Sequence, residues 1–370
     1  MKDSVVHILK NFKEIANTFG ILLTVVSMVF LFNSKPILFK IILIIILFFL
    51  FAILSITLHW ISERNKLSVN KGFSGDKSIL VIANRRYIEN MYNRHEYNDV
   101  CNFGNTFSRM FYIAGAYKSR IAITKLVLLS AHKLKQDKLC ANSLIDIGWT
   151  ILLTDEKSRE NFQFDSAVLS SPNEYFERGI VYALKINDYQ LVSKAYRHLS
   201  GYYITKNDFT KAKEFRDISE KYLNMMHDGV EKKIMQANLL YCDAETAFIQ
   251  KDYSHAYDLC IQTDNLKKGN DEEAREIRFY AQIGKIFYCL ERCNDAKENF
   301  LLGLDKAEKL KRQDEIAKNT YGYSLCLIKE GQKAKAKNKV EDFTKKNGHI
   351  PLFITDNFFI NEYNTILGGE

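Results

Sequence analysis

Between Ile37 and Ile350 the sequence contains one proline, Pro172. A helix accepts proline only in its first turn, because the ring removes an N–H donor and collides with the preceding turn. Pro172 fits that rule. In SSPNEYF, Ser171 can cap, Pro172 takes the first helical position, and Glu174 closes a capping box. With only Pro36 and Pro351 besides, the chain reads as all-α. Its 370 residues allow two or three compact domains, or one elongated array whose units pack only on their neighbours.

Two apolar runs, Ala16 to Phe32 and Ile41 to Leu58, carry no charged residue. At about 1.5 Å of rise per residue, each just spans a hydrocarbon core of about 30 Å, with Lys40 snorkelling to the near surface. The pattern predicts a membrane hairpin over 16–60, turning at Asn33 to Pro36. No small-residue cleavage site separates the runs, so a cleaved signal peptide is not indicated. Lys2, Lys10 and Lys13 precede the first span, and Arg64, Lys66, Lys71, Lys77, Arg85 and Arg86 follow the second. The positive-inside rule then places both termini in the cytoplasm, with Trp60 at the inner interface. Ala16, Gly20, Thr24 and Ser27 form a small-residue stripe on the first span, suited to packing on the second span or to self-association. Neither span contains Asp, Glu or Arg, so no ion pathway is indicated.

After a glycine-containing linker over 61–84, similar segments return at a fixed stride. They are SKAYRHLSGYYITKNDFTKAKEF from Ser193, QANLLYCDAETAFIQKDYSHAYDL from Gln236, FYAQIGKIFYCLERCNDAKENF from Phe279 and NTYGYSLCLIKEGQKAKAKNKV from Asn319. Ala212, Ala256, Ala296 and Ala336 are spaced by 44, 40 and 40 residues. Twelve positions before them lie Ser200, Ala244, Gly284 and Ser324, and a helical turn later Tyr203, Ala247, Phe287 and Leu327. An earlier unit has Gly148 in the small position, followed by the insertion KSRENFQFDSAVLSS. A small residue at the helix crossing and an alanine where the second helix packs back resemble the tetratricopeptide repeat, in the longer-helix form of some bacterial regulators. Five or six helix pairs are expected over 85–347, with 348–370 as a C-terminal capping segment and 1–15 as an N-terminal tail.

The resemblance implies a concave binding wall made by the first helix of each unit. Carried over position by position, that wall holds Lys194, Arg197, Asn238, Tyr241, Arg278, Lys285, Lys318 and Tyr321, with Ala281 and Glu245 among them. Such a basic surface with interleaved tyrosines suits a partner bearing phosphates or carboxylates, either a nucleic acid or an acidic peptide. It also fits ordinary solvated helix faces in a chain of net charge +8.

Enzyme signals are weak. No phosphate-cradling loop, nucleophile elbow or His-Glu-x-x-His motif occurs, and His95, Glu96 and Asp99 in RHEYND read as a surface turn. The seven cysteines lie in helical patterns without a framework spacing, as for reduced, buried thiols, and Cys289 and Cys293 lack matching metal ligands. No catalytic residue, metal or cofactor is expected. The layout of two spans and a large cytosolic array resembles the two-transmembrane effectors encoded beside retron reverse transcriptases. That resemblance implies a bacterial inner-membrane effector of anti-phage defence, with the reverse transcriptase and its RNA-linked DNA as partner. The alternative is a non-toxic, membrane-tethered scaffold.

Overall fold

The computed structural model describes residues 79–153, 162–267, 273–347, 352 and 356–367. The predicted spans, the stripe of Ala16, Gly20, Thr24 and Ser27, and most of the linker lie outside the described residues. Among the described residues, no helix is long and apolar enough to cross a membrane.

The described residues form fourteen α-helices and one small hairpin. The helices are α1 (Ile79–Asn93), α2 (Tyr97–Ile113), α3 (Tyr117–Lys133), α4 (Asp137–Leu153), α5 (Pro172–Lys185), α6 (Tyr189–Thr205), α7 (Phe209–Asn224), α8 (Val230–Ile249), α9 (Tyr253–Lys267), α10 (Glu273–Cys289), α11 (Cys293–Leu310), α12 (Gln313–Lys329), α13 (Lys333–Asn347) and α14 (Asn357–Leu367). From α2 to α13 they pack as six antiparallel pairs, with α1 and α14 flanking the array. The unit is a helical repeat solenoid, compatible with a tetratricopeptide-like fold.

One kind of turn sets its rhythm. Left-handed backbone recurs at residues 95, 115 and 135, at 187 and 207, and at 291, 311 and 331, twenty apart within each run. At Asn187 and Asn207 the residue suits that conformation, because a short amide side chain tolerates it. The next residue closes the old helix and opens the new one. Asp188 N–H donates to Ala183 O at 3.0 Å while its carboxylate accepts from Leu191 N–H at 3.1 Å, and Asp208 repeats the pattern with Tyr203 and Lys211. Before α5, the Glu174 carboxylate accepts the backbone N–H of Ser171 at 2.9 Å, completing the capping box read from the sequence.

The aligned small residues sit where helices cross. Ser200, Ala244 and Ser324 are buried, as are Ala212, Ala256, Ala296 and Ala336. At Gly284 an added Cβ would lie 2.6 Å from the Phe300 ring, so glycine lets that ring wedge between helices. Two large apolar cores result, one from α2 to α6 and one from α8 to α14, with Phe359 and Tyr363 of α14 covering the last pair.

The insertion between α4 and α5 contains the hairpin, β1 (Phe162–Phe164) and β2 (Ala167–Leu169), paired antiparallel. Its turn, Asp165 and Ser166, has two left-handed residues, the geometry that matches strand twist. Phe164 and Leu169 are buried, and Tyr182 of α5 donates to Asp165 Oδ2 at 2.9 Å. A three-residue strand gives too short an alternation to read from sequence, so this element went unpredicted.

Candidate ligand chamber

The first helix of each pair turns one face inward, and helical spacing decides which side chains line the interior. On α6 they are Lys194, Arg197, His198, Gly201 and Ile204, and on α8 Asn238, Tyr241, Cys242 and Glu245. Residues three and four apart share a helix face, so both stripes follow directly from the backbone. Asp146 and Trp149 of α4 continue the wall, and Leu352 and Asp356 contribute from the C-terminal segment. The cavity, partly open to solvent, is about 420 Å³. Small-molecule pockets occupy about 300–1,000 Å³.

A contact between the two ends of the array borders this space. Arg278 of α10 donates to the Tyr112 hydroxyl of α2 at 2.6 Å. The guanidinium carbons of Arg120 and Arg312 lie 4.6 and 5.3 Å from the centroid of the same ring. Tyr117, at the start of α3, is 2% exposed, and burial, followed by the Asp314 carboxylate, pushes its hydroxyl pKa far up. Between Tyr112 and Tyr117, Gly115 takes a left-handed turn at φ +68°, and an added Cβ would lie 3.8 Å from Gln313 Cβ.

Seven basic and four acidic side chains line the cavity. Near α12 the charges are matched. Arg312 donates to Asp314 at 2.6 and 3.0 Å, Lys318 lies 2.7 Å from Asp356 and 3.1 Å from Glu315, and Arg278 lies 3.7 Å from Glu315. Burial alone would raise the Asp314 carboxyl, but the Arg312 guanidinium outweighs it and holds the pKa at about 2. Asp356 and Glu315 act in the opposite sense on Lys318, raising its pKa against the effect of burial.

Near α6 the charges are not matched. Arg120 and Lys194 share one carboxylate, Asp146, at 3.4 and 2.9 Å. Arg197 has no carboxylate partner among the described residues. One of its terminal nitrogens lies 3.4 Å from His198 Nε2, the other 4.0 Å from Cys242 Sγ, and its buried Nε has no partner. Exposed Arg109 also has no ion pair among the described residues. The positive excess of the cavity is concentrated on this wall.

His198 is 5% exposed and stacks with Trp149 at 4.6 Å and with Phe176 at 5.6 Å between centroids. Gly148 makes room for Phe176, since an added Cβ there would come within 2.8 Å of the ring. Burial, then Arg197, Lys194, Arg278 and Arg120, hold the imidazole pKa well below its usual range, so the ring is neutral. Its Nδ1 has no hydrogen-bond partner among the described residues.

Of the residues carried over from the repeat resemblance, Lys194, Arg197, Asn238, Tyr241, Arg278 and Lys318 line the cavity. Lys285 lies behind its wall, fully buried, with Nζ 3.3 Å from Glu245 Oε1 and 4.3 Å from the Phe248 ring centroid. Tyr321 packs on Tyr363 in the C-terminal core, with ring centroids 5.4 Å apart. Among the described residues, no group of three or more His, Cys, Asp and Glu is placed to hold a metal ion.

Comparison with protein-family profiles and with curated protein sequences returns no match. The chemistry of the cavity is therefore the guide to its ligand. Sequence reasoning missed Trp149, His198, Gly201 and Asp314. The first could have been placed on the wall from Gly148, and His198 and Gly201 from the helical spacing of Lys194 and Arg197.

Proposed function

We propose that this chain is a non-enzymatic recognition protein whose helical array receives a ligand or partner and controls an N-terminal membrane hairpin. The observation that carries the reading is the Arg278–Tyr112 hydrogen bond, 166 residues apart in sequence. An array whose ends meet surrounds a site, and the residues that join the ends, Arg278 and Tyr112, also line it. Occupancy and closure then share the same side chains, which is what a switch requires. The apolar runs over 16–60 support the membrane location through hydropathy alone.

In biological terms the reading is a bacterial anti-phage effector. The array is held inactive by a partner complex, and release lets the spans cluster through Ala16, Gly20, Thr24 and Ser27 and breach the inner membrane. A reverse transcriptase with its RNA-linked DNA is the partner class that the layout suggests. A cavity of about 420 Å³ has no room for a nucleic-acid helix, so such a partner would engage the rim or the outside of the array.

The test is growth and membrane potential in cells expressing the full chain, the chain from Asn70 to Glu370, or the full chain with Gly20→Leu and Thr24→Leu. Depolarisation by the full chain alone supports the effector. Full chain, truncation and double variant that are equally harmless, with the partner system present and activated, would establish a scaffold instead.

A further inference from the structure

We infer that the chamber wall formed by α4, α6 and α8 binds a compact organic polyanion, bearing phosphate or carboxylate groups, with Arg197 as its anchor. This rests on the reading of the array as a receiver and names what it receives.

Three independent observations meet at that wall. The first is charge. Among the described residues, Arg197 is the buried-wall cation with neither a carboxylate nor an aromatic hydroxyl to occupy its donors, exposed Arg109 at the rim also lacking an ion pair. Beside Arg197, Arg120 and Lys194 share Asp146 as their one carboxylate. A guanidinium offers five donors in a fork that fits a carboxylate or a phosphate. Folding gives this fork only two long, neutral contacts, with His198 Nε2 and Cys242 Sγ, whereas Arg312 has Asp314, and Arg278 has Tyr112 and Glu315.

The second is an unpartnered polar group at the same place. His198, more than nine-tenths buried and lining the cavity, has Nδ1 without a hydrogen bond, and the adjacent buried Arg197 Nε also lacks one. Buried polar atoms are ordinarily satisfied, so two orphans on neighbouring residues that line one cavity mark a wall whose polar groups the fold leaves incompletely paired.

The third is space. Gly201 is one helical turn beyond Arg197, lines the cavity, and has nothing within 4 Å of where a Cβ would stand. Gly148, Gly284 and Gly303 are different, because a Cβ at each would collide with a neighbouring side chain. Packing explains those three glycines, but it does not explain Gly201. A mid-helix glycine costs about 0.5–1 kcal/mol relative to alanine, and what it provides here is room in the chamber. Asn238, Tyr241 and Cys242 on α8 face that room and supply polar groups to orient what enters it.

The experiment is calorimetric titration and thermal unfolding of the full-length protein in detergent, with ADP and citrate as probes at matched ionic strength. Saturable binding of at least one, with a raised unfolding midpoint, is expected. ADP alone would indicate a phosphate ligand, citrate alone a carboxylate ligand, and both a site that reads charge. Arg197→Gln should weaken binding by about tenfold or more, whereas Lys213→Gln, on the exposed face of α7, should not. Gly201→Leu should abolish binding with the unliganded midpoint unchanged or higher, which separates a filled chamber from a misfolded one. Absence of binding by both probes, or binding that survives Arg197→Gln and Gly201→Leu, overturns the proposal. Binding in a chain that never depolarises cells would sink the effector reading and leave this site standing; depolarisation without binding would do the reverse.

Discussion

The Arg278 guanidinium and the Tyr112 hydroxyl meet at 2.6 Å, joining the fifth helix pair to the first. In a solenoid, stability comes mainly from neighbouring units, so a bond between distant units adds a constraint that local packing does not supply. Tyr112→Phe keeps the ring under Arg120 and Arg312 and removes only the acceptor. The expected loss is about 1–3 kcal/mol, as for a hydrogen bond from a charged donor. Hydrogen exchange should quicken at residues 112–117 and 312–315 and stay unchanged in α5 and α7. Uniform quickening, or none, would show that the rim contact carries no local stability.

Phe300 is fully buried against Gly284, and an added Cβ at Gly322 would also collide with its ring. Gly284→Ala should therefore cost about 1–3 kcal/mol by overpacking, and Phe300→Ala about 3–5 kcal/mol by leaving a cavity. In the Phe300→Ala background the Gly284→Ala penalty should largely vanish. Additive losses in denaturant titrations would mean that the ring and the glycine do not meet.

Lys285 is fully buried and Glu245 is 6% exposed, with 3.3 Å between Nζ and Oε1. Removing one buried partner strands the other, so Lys285→Met should cost about 3–5 kcal/mol. Adding Glu245→Gln removes the stranded charge and should restore much of that loss. If the double variant is no better than Lys285→Met alone, the pair is not coupled.

Acid should destabilise the array in two stages. The His198 pKa is depressed in the folded protein by burial and by Arg197, Lys194, Arg278 and Arg120, so below about pH 6.5 the unfolded chain takes up a proton that the native chain refuses. Stability from this source is complete above that pH and falls as pH drops below it. His198→Phe should flatten the first stage. The second stage belongs to Asp314, whose carboxyl sits at about 2 against an ordinary 3.8. Its contribution, about 2 kcal/mol, is present above pH ~4 and is lost between pH ~4 and ~2. Unfolding midpoints measured from pH 7 to about 2 in the wild-type and His198→Phe proteins check the assignment.

The repeat grammar was legible because its signals are local. Pro172 and Glu174 announce a helix start, and Ala212, Ala256, Ala296 and Ala336 mark the second helices because only a small side chain fits where helices pack closely. Chamber residues on one helix were also legible, since Lys194 and Arg197 lie on one face three residues apart. What sequence could not reveal was the pairing of distant charges. Nothing local distinguishes Lys318, matched by Asp356, from Arg197, which has no carboxylate among the described residues, because the difference depends on where the C-terminal segment returns. Closure at Tyr112 was hidden for the same reason. It follows from the summed rotation of six helix pairs, which no single turn encodes.

Closure is tested most directly by a disulfide across the rim. A Cβ at Gly115 would stand 3.8 Å from Gln313 Cβ, which is the separation a disulfide prefers. Gly115→Cys with Gln313→Cys, oxidised in the full-length protein and run on a non-reducing gel, should give a faster-migrating species that reductant abolishes and that neither single variant forms. Because Gly115 has φ +68°, Gly115→Ala serves as the control for backbone strain, and failure of the crosslink in a double variant as stable as Gly115→Ala would mean that the ends of the array do not meet, and the chamber between them would fall with it.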